Sequence, residues 1–247
     1  MSGLCIAIPN GALLEGACEL LGEAGIRGVQ PAHFEDALLL EAGADRLIKV
    51  RPTDVPVYVE MGAADCGIVG KDMLWESHRD CYELVDLRFG GCRLVLAAPE
   101  GSPLAAGDWP PSLRVATKYP RAARRFFDRI NVSAELIKLH GSVELAPATG
   151  LADAILDIVA TGRTLRANRL VEVAEAGRST ARFIVNQASL KTRSEAVTEL
   201  AAGLRRAVEQ RLARSREARG GRLSPRSDDG LGEFPYPLGA SAPGGDT

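Results

Sequence analysis

Short apolar runs broken by turn residues set the rhythm of the chain. Leu4–Ile8 closes on Pro9-Asn10-Gly11, a strand and a turn. Ala12–Ala24 then places Leu13, Leu14, Ala17, Leu20, Leu21 and Ala24 on one helical face ahead of Gly25. Residues 27–44 have no clear period. Leu47–Val50 predicts a second strand, Thr53 a cap for a short helix reaching Met61 with Pro56 in its first turn, and Cys66–Val69 a third strand bounded by Gly70. From Arg93 the alternation starts again, with strands at Arg93–Ala98, Leu113–Thr117, Glu135–His140, Ala154–Val159 and Leu170–Val173 and a helix at Arg121–Ile130. Arg182–Asn186 reads as a last strand, and a long amphipathic helix follows over Ser194–Arg214.

Buried strands alternating with helices imply an α/β protein with mixed, largely parallel sheets. The two runs suggest two lobes facing a cleft. Residues 1–90, rejoined by 181–214, would make a discontinuous first domain and residues 91–180 the second. Residues 215–247 contain no Ile, Val, Met, Trp or Cys and are rich in Gly, Pro, Ser, Arg and Asp. Such a segment cannot bury enough apolar surface to offset its ordering entropy, so a disordered tail is expected.

Composition narrows the partners. Thirty basic against 32 acidic side chains leave a net charge of −2 over 247 residues, which gives no bulk attraction for nucleic acid or an anionic membrane. The arginines from Arg205 to Arg222 are interleaved with Glu199, Glu209 and Glu217 and read as a solvated helix face rather than an RNA patch. No apolar run approaches the roughly 18–20 residues of a spanning helix, and the N-terminus has no basic leader, so a cytoplasmic protein is expected. Five cysteines and three histidines show neither C-x-x-C nor zincin spacing, which suggests reduced structural thiols and no protein-built metal site.

The chemistry concentrates in Ala152–Leu170. The strand Ala154–Val159 runs directly into Thr161-Gly162-Arg163-Thr164, and Leu165–Asn168 can start a helical turn. A strand, a Gly turn and a helix start aim several amides at one point, the hydroxyls of Thr161 and Thr164 add donors, and Gly162 allows a positive φ and close approach. This pattern predicts a cradle for a phosphate monoester. Asp153 and Asp157, four apart in an extended strand, share a face, and Asp157 at the strand end could bind a vicinal diol. Phosphate plus diol describes a 5-phosphoribosyl group, and a nearby carboxylate would favour an oxocarbenium-like transition state. The alternative is that Thr161-Gly162 is a plain turn and Asp153 a turn cap. Neither Walker A spacing nor G-x-G-x-x-G is present: Gly67-Ile68-Val69-Gly70-Lys71-Asp72 ends in Asp.

The Thr-Gly-x-Thr turn resembles the phosphoribosyl-diphosphate (PRPP) loop of the ATP phosphoribosyltransferases. The likeness extends to Arg51–Glu60, Gly62–Asp65, Gly67–Asp72, Tyr82–Leu84, Val115–Pro120 and Lys138–Pro147. The resemblance implies a two-domain fold similar to periplasmic binding proteins, with PRPP in the second domain, ATP entering at the cleft, and Mg²⁺ required but carried by the substrates. The implied reaction is attack of ATP N1 on C1 of PRPP with loss of pyrophosphate. By position in the motifs, Thr161, Gly162, Arg163 and Thr164 would hold the 5′-phosphate, and Asp157 and Asp153 the ribose hydroxyls. Asp157, Arg51 and Lys71 would serve catalysis, and Lys118, Ser142 and Glu144 would line the cleft. With only a polar segment after residue 214, the chain resembles the short form, which works as a hetero-octamer with a histidyl-tRNA-synthetase-like regulatory subunit.

Ile158, where purine-salvage phosphoribosyltransferases carry a second acid, leaves only Asp157, which agrees with the ATP-specific family. One departure bears on activity. Pro9-Asn10-Gly11-Ala12 replaces the Pro-Lys-Gly-Arg common in the family, which removes two cations. A catalytically silent relative that binds PRPP or a nucleotide and acts through its partner is therefore the alternative to an active enzyme.

Overall fold

The computed structural model describes residues 3–218. The chain divides into two compact units, one extending to Gly91 and resuming at Ser179, the other spanning Cys92–Arg178. In the first unit the chain forms β1 (Cys5–Pro9), α1 (Leu14–Glu23), β2 (Leu39–Ala42), β3 (Asp45–Val50), α2 (Val55–Glu60), β4 (Cys66–Gly70), α3 (Lys71–Ser77) and β5 (Tyr82–Asp86). The second contains β6 (Cys92–Pro99), β7 (Leu113–Thr117), α4 (Pro120–Arg129), β8 (Ala134–Lys138), β9 (Ala154–Val159), α5 (Arg163–Ala167) and β10 (Leu170–Ser179). The chain then returns through β11 (Ala181–Val185), α6 (Gln187–Thr192) and α7 (Ser194–Ala218).

The first unit holds a six-stranded sheet in the order β2-β3-β1-β4-β11-β5, the second a five-stranded sheet in the order β10-β6-β9-β7-β8. Both sheets are mixed. Parallel neighbours run through β3-β1-β4 and β8-β7-β9. The antiparallel pairs arise from the β2–β3 hairpin, from the return of β11 between β4 and β5, and from β6 beside β9.

The continuous apolar strands are explained by burial on both faces. Ile6 and Ile8 enter a cluster with Leu20, Leu21, Phe34, Ile68, Phe183 and Leu204, whereas Ala7 points the other way, to Val55, Val59, Val69 and Ile184. In the second unit Val95, Ala97, Ala116, Ile155, Leu165 and Leu170 form the core, which anchors both ends of the Thr-Gly turn.

Several expectations need correction. Thr53 does not cap α2: Asp54 holds the N-cap position without a side-chain bond, and the Thr53 hydroxyl donates to Asp54 Oδ1 at 3.0 Å. Asn186 is no strand residue but the cap of α6. Its Oδ1 accepts from the amides of Ala188 (2.8 Å) and Ser189 (3.0 Å), and its Nδ2 donates to the Val59 carbonyl at 2.7 Å. The segment 27–44 contains a 3₁₀ turn, Pro31–Phe34, and the edge strand β2, whose partial exposure blurs its period. Helix α7 continues past Arg214 to Ala218, so residues 215–218 are helical and the expected tail otherwise lies outside the described residues.

Two predictions test this packing. A Cβ on Gly203 in α7 would lie 2.7 Å from the backbone carbonyl oxygen of Ala24 after α1. Glycine to alanine in an exposed helix adds about 1 kcal/mol of stability. Here Gly203→Ala should instead remove about 1–2 kcal/mol in chemical denaturation, because two backbones must separate. Truncation after Arg214 removes the exposed positions 215–217 and should move Tm by no more than about 2 °C.

Candidate active site

The reversal between β9 and α5 is built by one residue. Gly162 adopts φ +69° and ψ 7° at the N-cap of α5, in the left-handed region that strains other side chains. Its carbonyl accepts from the Arg166 amide at 3.1 Å, and the buried Leu165 roots the turn in the core. Helix geometry leaves the first-turn amides of Arg163, Thr164 and Leu165 without an intrahelical acceptor. With Thr161, Gly162, Asp157 and Glu144, these residues line a hollow of about 240 Å³. The side chains of Thr161, Arg163 and Thr164 are exposed and, among the described residues, make no hydrogen bond or ion pair. With only five residues in α5, attraction for an anion comes from these local donors rather than from a long helix dipole.

Asp157 is placed by the sheet. The parallel register sets Thr117 beside Leu156, so the next residue, Lys118, reaches Asp157. Asp157 is 7% exposed; its Oδ2 lies 3.2 Å from Lys118 Nζ and its Oδ1 accepts from the Ile158 amide at 2.8 Å. Burial pushes its carboxyl above the ordinary range. The Ile158 amide and the Lys118 charge pull it down, and Glu144 adds a smaller upward push. Glu144, in the 3₁₀ turn Val143–Leu145, is the second carboxylate on the hollow and forms no hydrogen bond or ion pair among the described residues.

The remaining candidates lie elsewhere. Asp153 does not line the hollow: Arg114 grips its carboxylate at 2.7 and 3.3 Å, and the Arg114 amide donates to it at 2.9 Å. The Arg114 guanidinium holds that carboxyl below its usual range. Four residues along a strand span about 13 Å, so sharing a face with Asp157 does not bring the two to one ligand. Ser142 is exposed at φ 47° and does not line the hollow either. Arg51 and Lys71 belong to the first unit. Arg51 is exposed, and its carbonyl accepts from the amides of Asp54 and Val55. Lys71 is paired with Glu83, which also lies 3.2 Å from Arg182. In the first turn Gly11 takes φ +75°, and Asn10 and Ala12 are exposed.

Sequence reasoning missed the side chains that support the turn. Asn168 Nδ2 donates to the Thr164 carbonyl at 2.9 Å, and Arg166 Nη2 donates to the Thr161 carbonyl at 3.3 Å. Their signal was the i to i+4 spacing of Gly162/Arg166 and Thr164/Asn168, which stacks each pair once Arg163 opens a helix.

Comparison with known proteins identifies the family. The family model for HisG, ATP phosphoribosyltransferase, matches residues 51–206. ATP phosphoribosyltransferase 2 of Geobacter sulfurreducens is 48% identical over 210 residues, 83% of this chain and 98% of that one. The ATP phosphoribosyltransferase of Caldanaerobacter subterraneus subsp. tengcongensis is 46% identical over 210 residues, covering 84% and 99%. In three dimensions the chain is similar to the ATP phosphoribosyl transferase (HisG:HisZ) complex from Thermotoga maritima, with a TM-score of 0.72, 34% identity, and 84% and 99% coverage. The alkanesulfonate-binding protein SsuA from Xanthomonas axonopodis pv. citri, at TM-score 0.52 and 15% identity, covering 88% of this chain and 76% of that one, shares the fold alone. On matching sequence and fold, the chain belongs to the HisG family of ATP phosphoribosyltransferases.

Proposed function

We propose that the chain transfers the 5-phosphoribosyl group of PRPP to N1 of ATP with release of pyrophosphate, the first step of histidine biosynthesis. One observation carries the reading: a Gly-centred turn with unpartnered amides and hydroxyls opens onto the same hollow as a buried carboxylate. The 5′-phosphate takes the donors of Thr161–Thr164, with Arg163 supplying a mobile cation. Asp157 accepts from the ribose hydroxyls and, held by Lys118, favours the positive charge that builds at the anomeric carbon. Asp153, held by Arg114, takes no part in this site. Glu144 faces the sugar from across the hollow. Arg51 and Lys71, cations of the first unit, stay candidates for the substrates' polyphosphate chains by motif position alone. Catalysis is thus mainly alignment and charge neutralisation, with no covalent step asked of the protein.

Mg²⁺ fits this donor set as a passenger. Among the described residues no three His, Cys, Asp or Glu side chains gather to hold a metal, and the hollow offers two carboxylates. A hydrated Mg²⁺ on diphosphate oxygens would neutralise the leaving group. Similarity to the Thermotoga HisG:HisZ complex supports action with a partner subunit; that this partner is histidyl-tRNA-synthetase-like and the assembly a hetero-octamer is what the family resemblance implies. No helix among the described residues is long and apolar enough to cross a membrane, and we place the enzyme in the cytoplasm.

The neutral turn at Asn10 and Ala12 favours a second reading, a silent PRPP binder. Phosphoribosyl-ATP formation with the regulatory subunit and Mg²⁺ decides between them: turnover supports the enzyme, and retained PRPP binding without turnover supports the silent relative. For the loop itself, Gly162→Val puts a β-branched side chain at φ +69° with its Cβ about 3.1 Å from Arg166 Nη1. It should weaken PRPP binding by about two orders of magnitude in calorimetry while the chain stays folded. Unchanged affinity removes the loop from the site.

Asp157 gives a pH test. Because burial raises its carboxyl, the folded state binds this proton more tightly than the unfolded state. Stability therefore falls as pH rises through the interval between the ordinary and the raised carboxylate value. Asp157→Asn should remove that loss, giving a substrate-free Tm at pH 7 equal to or above wild type, while PRPP binding drops. Lower stability of the variant across the whole pH range contradicts the account.

A further inference from the structure

A loop that binds an anion with backbone amides must be ordered before the anion arrives, or its ordering entropy is subtracted from binding. Here the loop is solvent-facing, with Thr161, Arg163 and Thr164 exposed, and contributes little apolar burial apart from Leu165. The side chain of Arg166 compensates. Its Nη2 donates to the carbonyl of Thr161 at 3.3 Å, and its Nη1 lies 3.1 Å from where a Cβ on Gly162 would stand. One guanidinium thus spans the residue before the reversal and the reversal itself, while its own amide bonds the Gly162 carbonyl at 3.1 Å.

The guanidinium has its own support. Glu172 on β10 has Oε1 3.8 Å from the same Gly162 Cβ position, so its carboxylate lies near the loop, and it acts on Arg166 through charge alone, without an ion pair between them. Arg93 on the neighbouring strand β6 holds Glu172 through two bonds of 2.7 and 2.8 Å. Arg93 holds the Glu172 carboxyl below its ordinary range, with a smaller contribution from Arg166. The Arg93–Glu172 pair thus fixes a carboxylate on the sheet whose charge is felt by Arg166 on the loop. Arg163 differs: it is exposed and unpaired among the described residues, free to meet a ligand.

We propose that Arg166 is a positioning residue for the phosphate loop, keeping the Thr161 carbonyl turned from the anion and the neighbouring amides toward it, with the carboxylate of Glu172, fixed by Arg93, favouring the guanidinium's place by its charge. The proposal rests on the PRPP reading of this loop and adds a residue that acts without touching phosphate. A guanidinium that binds phosphate directly would be freed, not weakened, by loss of Glu172. A positioning guanidinium loses the charge that favours its place when Glu172 becomes neutral.

The test uses the full-length chain with its regulatory subunit and measures PRPP affinity, KM, kcat and amide exchange at residues 161–165. Arg166→Ala should raise Kd and KM for PRPP about tenfold, the size of one charge-assisted hydrogen bond, with kcat within about twofold. Glu172→Gln should move both constants in the same direction by about threefold. Both substitutions should speed exchange at 161–165 in the substrate-free protein. Arg166→Lys, which keeps charge but loses the fork, should remain impaired. Wild-type affinity and exchange in Arg166→Ala and Glu172→Gln, alongside lost binding in Gly162→Val, overturn the positioning role and leave the loop assignment standing. Full recovery by lysine, or tighter binding in Glu172→Gln, also overturns it in favour of direct attraction. Unaltered binding in Gly162→Val strikes the PRPP reading itself.

Discussion

A chain that leaves a buried strand for a helix must reverse within a few residues if its amides are to converge. Between Val159 and Arg163 that reversal depends on Gly162 at φ +69°. Its surroundings follow from this constraint. β9 must be buried on both faces to hold one end of the reversal rigid, and Leu165 must enter the core to hold the other. The donors left over are those that helix geometry strands at any N-terminus, here gathered beside a carboxylate by the pairing of β7 with β9.

Around this backbone the charges fall into separate circuits. Asp157 and Lys118 face the hollow. Asp153 and Arg114 close a pair at the opposite end of the same strand. Arg93 joins Glu172 and lies 3.6 Å from Glu175, which Arg178 also meets at 2.6 Å. The first pair is the costly one, because Asp157 gives up most of its hydration for a single ammonium and one amide. Exposed pairs such as Arg114–Asp153 contribute little stability. A carboxylate kept buried beside empty donors suits a site that awaits a polar ligand.

The strands and the Gly turn after β9 were legible because their signals are local. Ala154–Val159 is an unbroken apolar run except for Asp157, and Thr-Gly-Arg-Thr follows it directly. What was hidden depends on distant partners. β2 is an edge strand with half its residues exposed, α3 has no fully buried residue, and β5 is recognisable mainly through β11, which pairs with it from about 100 residues downstream. Asn186 looked like the end of a strand because its role, capping α6 while bonding Val59, needs two elements at once. The pairing of Asp153 with Arg114 was equally invisible: period two gives the face of a strand but not the distance along it. Arg166 carried a helical spacing signal that only gained meaning once the helix was known to start at Arg163.

The central claim is that the amides of Thr161–Thr164 meet a sugar phosphate, and a titration of the isotope-labelled chain with PRPP and Mg²⁺ followed by NMR tests it most directly. The account predicts that the largest amide shifts fall on residues 161–165, with phosphorus–proton couplings or contacts from the 5′-phosphate to those amides. Shifts confined to other segments, with residues 161–165 unmoved at saturating PRPP, would contradict it.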